Sequence, residues 1–508
     1  MPSQTAPGAG RDRARQKSRR GAESGNKSGE AGKQAKGRGR GGAATVPPPA
    51  GPADRGGSAP RQNPAVTAEA GPLAPVHPRR ASRPGRFGPF RVQQLVLVEA
   101  AAAAALAGWA WHKSVPLLLP VLGVVAVLLL VVALIRIRGL APGDFTRARS
   151  ALKQRQSRAD EARVDSGTDP ALMPVLECEP ALRVAAHSVE SRVPGAAAGA
   201  TARAEHREIG MVGDGTFLSA VLQIDPRDEP LRPSRSSRPM PLSVLRNALR
   251  VDDIVLSSVQ VVQFTQPAPA PHLPEQALAA RAYRDVPEGP QTAGLRLTWV
   301  ALRLDPELCR RAVEARGGGE EGARRALQRA ADQLAARLTE AGFRVTVLDE
   351  QGVNSALATA VCPSPLATAQ SRGQTGAMPQ IGRRTAETRR AWRCDDRWHT
   401  TYWLSRWPSL SLPGGPGKVS APAMVNLLTG GSALASTFSL EVREAPVGEP
   451  GSAAISGYVR LTARSESELA QLSKQLEGRA HSVGAGLSRL DLEQVPGVLA
   501  TLPLGGTR

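Results

Sequence analysis

Three short stretches place carboxylates or glycines where they could do chemistry. Asp491-Leu492-Glu493 sets two carboxylates two residues apart, the beginning of an acidic metal-binding motif. Asp349 stands at the matching place in an internally similar segment, and both aspartates follow a strand-like run, so a turn or helix cap explains them better than catalysis. In GMVGDGTFLSAVLQI, Gly210, Gly213 and Gly215 could cradle a phosphate, but Asp214-Gly215 beside a strand-like run is first of all a hairpin turn. Gly417-Lys418 is followed by Val419 instead of the Ser or Thr of a phosphate loop, and neither GxSxG nor HExxH occurs. Cys178, Cys309, Cys362 and Cys394 form no CxxC, and the histidines form no HxxxH, so neither a zinc site nor a disulfide framework is expected. Scattered thiols fit a reducing compartment. The residues therefore point to no catalytic group, no cofactor and no metal.

Side chains suited to holding a partner are easier to find. AWRCDDRWHTTYWLSRWP carries Trp392, Trp398, Tyr402, Trp403 and Trp407. In a strand over 400–407, Trp403 and Trp407 share one face with Thr401 and Ser405, and Tyr402 takes the other. One reading is core packing. The other is a partner-binding patch, because Trp, Tyr and Arg dominate interface hot spots. Glu99, a carboxylate within an apolar run, is a third candidate contact, either with a polar group of a partner or with lipid headgroups.

The elements around these residues begin with two apolar runs, 92–111 and 115–135, separated by His112, Lys113 and Ser114. A bilayer core is crossed by about 20 apolar residues, so the runs predict a transmembrane helical hairpin. Arginines and lysines cluster before and after it, at Arg79 to Arg91 and at Arg136 to Arg155, with Lys113 alone between. That bias predicts a multi-pass inner-membrane protein with both termini cytoplasmic. Residues 1–91 hold 18 Arg/Lys against 5 Asp/Glu and few large apolar residues, which predicts a disordered basic tail. Such a tail fits anionic lipid headgroups or plain solvation. A nucleic-acid role finds little support, since aromatics are only 3% of the chain. Residues 136–170 read as a juxtamembrane basic linker.

Beyond residue 170 the pattern is α+β and occurs twice. TFLSAVLQID, IVLSSVQVVQF, LRLTWVALRL and FRVTVL read as strands, with PLSVLRNAL and EEGARRALQRAADQLAARLTEAG as helices. This βαββαβ order is ferredoxin-like. It recurs with TTYWLSRW, APAMVNLL, ALASTFSLEV, AAISGYVRLTA, a helix capped by Ser465 and Glu468, and LSRLDL. An offset of 142 residues aligns LDEQGVNSALAT (348–359) with LDLEQVPGVLAT (490–501), six identities in twelve, and matches Gly342 with Gly484. The expected organisation is a first α/β unit at 171–362, a linker at 363–390 and a second unit at 391–508.

The ordered set RRASRPGRFGPFRVQQLVLVEAAAAAALAGWAW, GDGTFLSAVLQI, PLSVLRNAL and TYWLSRWPSL resembles the EccE family of the actinobacterial type VII (ESX-type) secretion apparatus. The resemblance implies a non-catalytic subunit of an inner-membrane complex, with EccB, the EccC ATPase and EccD as partners and no cofactor. A membrane-anchored enzyme of envelope synthesis, transferase-like in its chemistry, stays open as an alternative and would need ionisable residues converging in a pocket.

Overall fold

The computed structural model describes residues 78–80, 86–87, 90–111, 113–114, 117–134, 142–161, 168–193, 203–225, 239–268, 276, 278, 281–282, 293–373, 383–411, 419–445 and 452–507. A first unit, 1–69, lies wholly outside these residues, and the fold is that of the second, 70–508. The expected disordered tail lies mostly outside the described residues too, as do the Pro-rich run 269–275 and residues 374–382 of the expected linker.

Period-two alternation of apolar residues builds thirteen strands into one sheet. These are β1 (Pro78–Arg80), β2 (Arg183–Val193), β3 (Arg203–Gly213), β4 (Leu218–Asp225), β5 (Ser258–Pro267), β6 (Ala293–Leu304), β7 (Arg344–Val347), β8 (Thr385–Glu387), β9 (Trp392–Cys394), β10 (Arg397–Arg406), β11 (Ala435–Glu444), β12 (Ala453–Ala463) and β13 (Gly486–Arg489). The path runs β8-β9-β10-β12-β11-β5-β6-β4-β3-β2, with β7 added to β4, β13 to β10 and β1 to β12. Two halves are visible in it. In the first, β4 lies between β6 and β7, and β5 lies outside β6. In the second, β10 lies between β12 and β13, and β11 lies outside β12. Each half also begins with a hairpin, β2–β3 or β8–β9, whose inner strand pairs with the start of β4 or β10.

The halves meet where β5 pairs antiparallel with β11. Val262 faces Ser439 there. Val262 also faces Trp299, and Ser439 faces Tyr458, each on the next strand of its own half. This is the self-complementary geometry of a two-fold dimer, made within one chain.

Two helices show why the repeat was legible. α7 (Gly319–Glu340) has Glu320 and Glu321 in its first turn and buries Ala323, Ala326, Leu327, Ala330, Ala331, Leu334 and Leu338 along one stripe. α11 (Glu466–Ser482) starts at Ser465, whose hydroxyl accepts from the Glu468 backbone N–H, and buries Leu469, Leu472 and Leu476. Both end the same way. Gly342 (φ 93°) lets Phe343 N donate to Leu338 O, and Gly484 (φ 77°) lets Ala485 N donate to Ala480 O.

The other sheet face is covered by α8 (Glu350–Val361) and α12 (Gln494–Leu499), which follow β7 and β13 at corresponding places. Residues 500–507 then run across the junction as a strap. Ser219 and Ser258 donate to Leu504 O and Gly505 O, Gly505 N donates to the Gln260 side chain, and Arg303 donates to Gly506 O.

The apolar runs near the N-terminus form α1 (Val92–Trp111) and α2 (Leu118–Leu134), which pack against each other. The expected transmembrane hairpin is overturned, because no helix among the described residues is long and apolar enough to cross a membrane. α1 has the length but opens with Gln93 and Gln94, carries Glu99 and is diluted by alanines. α2 is apolar but has 17 residues, a rise of about 25 Å against a core of about 30 Å. The expectation of a multi-pass inner-membrane protein with cytoplasmic termini, which rested on that hairpin, falls with it. The expected basic linker contains a helix, α3 (Pro142–Glu161).

Candidate functional site

The motifs with chemical potential have structural roles. Asp349 caps α8, its Oδ1 accepting from Gly352 N at 2.7 Å. Asp491 instead accepts from Arg489 Nε at 2.6 Å. Asp214-Gly215 turns β3 into β4, with Asp214 Oδ1 accepting from Thr216 N and Oγ1. Burial pushes the thiols of Cys178, Cys309, Cys362 and Cys394 up, away from the nucleophilic thiolate. Among the described residues, no group of three or more His, Cys, Asp or Glu could hold a metal ion.

The aromatic cluster is divided by the fold. Trp392 is fully buried and its ring lies 4.9 Å from that of His399. Burial, then the charges of Arg460 and Arg397, hold His399 well below the usual imidazole range. Burial likewise lowers the Arg460 guanidinium, to about 10, where its Nη2 donates to Ala360 O. Trp403 is half-buried opposite Tyr458. The register shifts between Leu404 and Arg406, as an extra residue in a strand does, and Trp407 turns to the opposite face from the one expected. There it packs over Gly457 beside Leu404, against the core that holds Tyr402. Trp403 and Trp407 therefore do not form one patch. Glu99 is exposed on α1, remote in sequence from both.

A polar junction that sequence reasoning missed ties α3 to the sheet. Glu387, at the end of β8, has a side chain only 2% exposed, while that of Arg155 is 25% exposed. Arg155 donates to both Glu387 oxygens, from Nε at 2.9 Å and Nη2 at 3.0 Å, and Nη2 also donates to Leu492 O. Val495 N, in the first turn of α12, donates to the same carboxylate, and Gln156 donates to Glu387 O. Beside it, Glu177 of α4 (Met173–Cys178) accepts from Arg384 N, Thr385 N and Thr385 Oγ1, while Arg384 pairs with Asp395 out of water. A cleft of about 390 Å³ opens between α3, Glu177, Arg303, Leu499 and the strap. Two of its lining carboxylates, Glu177 and Glu387, are engaged by these donors. α3 turns a short apolar stripe to the chain, with Leu152 buried and Phe145, Ala148, Ala151 and Ala159 half-buried beside Arg155. That spacing, its run of helix-forming residues and Asp144 in the first turn were its sequence signals.

Among the described residues, most of the exposed large hydrophobic side chains lie on α1–α2. Ala101 and Ala133 are buried, but Leu106 (69% exposed), Val124 (64%) and Val127 (63%) point away from the chain. A contiguous apolar surface of this kind is rare on an isolated protein and marks an interaction site.

Residues 292–404 match the family described as "Putative type VII ESX secretion system translocon, EccE". The match covers about a fifth of the chain. It runs from β6 through α7 and α8 to β10, across the connection between the two halves. The EccE family, and with it a component of the type VII secretion system, is thus supported by the chain's own residues. No curated protein matches the chain.

Proposed function

We propose that the chain is a non-catalytic structural subunit of a type VII secretion complex, using α1–α2 to hold neighbouring subunits. The exposed apolar surface of that helix pair carries the reading, since leaving large aliphatic side chains in water costs about 1.5–3 kcal/mol each. The EccE match supplies the system, and EccB, the EccC ATPase and EccD are the proposed neighbours. The basic residues 1–91 add a long-range electrostatic contact with anionic partner surfaces. The commitment of Glu177, Glu387 and the buried thiols to structural contacts favours assembly over a transferase activity.

The test is affinity purification of the tagged full-length chain from its native cell in mild detergent. Other type VII subunits should co-purify in fixed ratio. Leu106→Glu combined with Val124→Glu should release them while the sheet stays folded. A monomeric wild-type chain would overturn the proposal.

A further inference from the structure

α1 has two unlike faces. Ala101 and Gly108 are buried and Leu97 and Ala104 half-buried, at the three- and four-residue spacing of a stripe that meets α2. On the opposite side of the helix Glu99, Ala102, Ala103, Leu106, Trp109 and Ala110 are all exposed. Lys113, two residues past the helix end, is exposed as well. Glu99 and Lys113 each stand seven residues from Leu106, one before it and one after. Seven residues fall about 20° short of two helical turns and rise about 10 Å, so the carboxylate, the leucine and the lysine form one row with the leucine at its centre. Neither Glu99 nor Lys113 makes an ion pair or hydrogen bond with another described residue.

A row with opposite charges equally far from its centre is complementary to its own reverse. Two antiparallel copies of α1 crossing at Leu106 set leucine against leucine and Glu99 of each copy against Lys113 of the other. The same register sets Ala102 against Ala110 and Trp109 against Ala103, so each large ring meets a small residue and the helices can approach closely. Antiparallel helices also place opposite macrodipole ends side by side. A parallel pair would set Glu99 against Glu99 and Lys113 against Lys113. An exposed ion pair adds little affinity, but polar positions in an apolar seam fix its direction and register.

We propose that α1 joins this chain to a second copy of itself, through an antiparallel two-fold seam centred on Leu106 and registered by two Glu99–Lys113 pairs between the copies. The seam uses α1 alone, and the exposed Val121, Val124 and Leu128 of α2 stay available to other subunits. The inference rests on the reading of α1–α2 as a joining surface, but its test needs no other subunit, so the two can fail separately.

The test is sedimentation equilibrium of the purified full chain in mild detergent, with charge reversals that leave the apolar residues of the seam intact. The wild-type chain should dimerise. Glu99→Lys and Lys113→Glu should each weaken the dimer at least about tenfold, because the two-fold makes every like-charge contact twice. The double variant Glu99→Lys/Lys113→Glu should return to within about threefold of wild type, and thermal unfolding should show the sheet unchanged in all three. Register is read in a Cys178→Ser chain, whose other native thiols are buried. There Leu106→Cys should be joined by a short bismaleimide to position 106 of the other copy, while Glu320→Cys, at the start of α7, gives no crosslinked dimer. A wild-type chain that does not self-associate, single reversals without effect, a double variant no tighter than the single ones, or no crosslink from Leu106→Cys would overturn the inference. Such a chain that still co-purifies with other subunits would sink the seam and leave the assembly reading standing.

Discussion

Replacing Arg155 by alanine should free α3 from the sheet without unfolding the sheet. The Glu387 carboxylate, 2% exposed, keeps only the Val495 N–H of its three side-chain hydrogen bonds from Arg155 and Val495. Breaking a buried ion pair by removing one partner costs about 3–5 kcal/mol. Arg155 is a quarter exposed, so water can partly solvate the abandoned carboxylate and the low end, about 3 kcal/mol, applies. That corresponds to an opening equilibrium about 150-fold more favourable, at 1.4 kcal/mol per tenfold. Hydrogen exchange reads it directly. Amides of α3 should lose roughly 100-fold in protection, while those of α7 change by less than about threefold. The double variant Arg155→Leu/Glu387→Leu should recover most of the loss, because no charge is then left buried. Unchanged α3 protection in Arg155→Ala would refute the assignment of this pair as the clasp.

The strap, the buried imidazole and the thiols give three further expected outcomes. Gly505 has φ 88°, and a Cβ there would lie 2.4 Å from the Arg303 Cβ, so Gly505→Ala should cost about 2–4 kcal/mol and lower Tm by several degrees. An unaltered Tm would show that the strap does not hold the junction. His399 is held neutral by burial, so unfolding takes up a proton once the pH falls below the unfolded imidazole value near 6.5. The wild-type chain should then lose up to about 1.4 kcal/mol more per pH unit than His399→Leu, until the folded-state value is reached, with no difference in slope above pH 7.5. Parallel stability curves below pH 6 would contradict it. Cys309, Cys362 and Cys394 are buried with raised thiol values, so maleimide should modify them only under denaturing conditions. Rapid modification of the native chain would show a different packing.

Strands whose apolar residues alternate were visible in the sequence. AAISGYVRLTA is Ala453–Ala463, and all of TTYWLSRW but Trp407 falls in Arg397–Arg406. The repeated helices were visible through their stripes and the glycines that end them. The pairing of β5 with β11 was not, because an edge-to-edge contact between distant segments leaves no local pattern in either. The hairpin β2–β3 was missed since Ala, His, Ser and Glu interrupt its apolar residues. α1 and α2 misled through composition, as apolar content was read as a bilayer span. The placement of Trp407 failed for a mechanical reason, a bulge that strict alternation cannot anticipate. The clasp was hidden because Arg155 and Glu387 lie 232 residues apart and each looks like an ordinary surface charge.

Whether α1–α2 joins this chain to its complex is read most simply by a site-specific photo-crosslink in the native cell. A benzophenone side chain at Val124, on the exposed face of α2, is compared with one at Glu320, at the start of α7. An adduct from Val124 to another type VII secretion subunit, and none from Glu320, is the predicted result. Absence of any adduct between Val124 and another subunit while secretion proceeds would contradict α1–α2 as the joining surface.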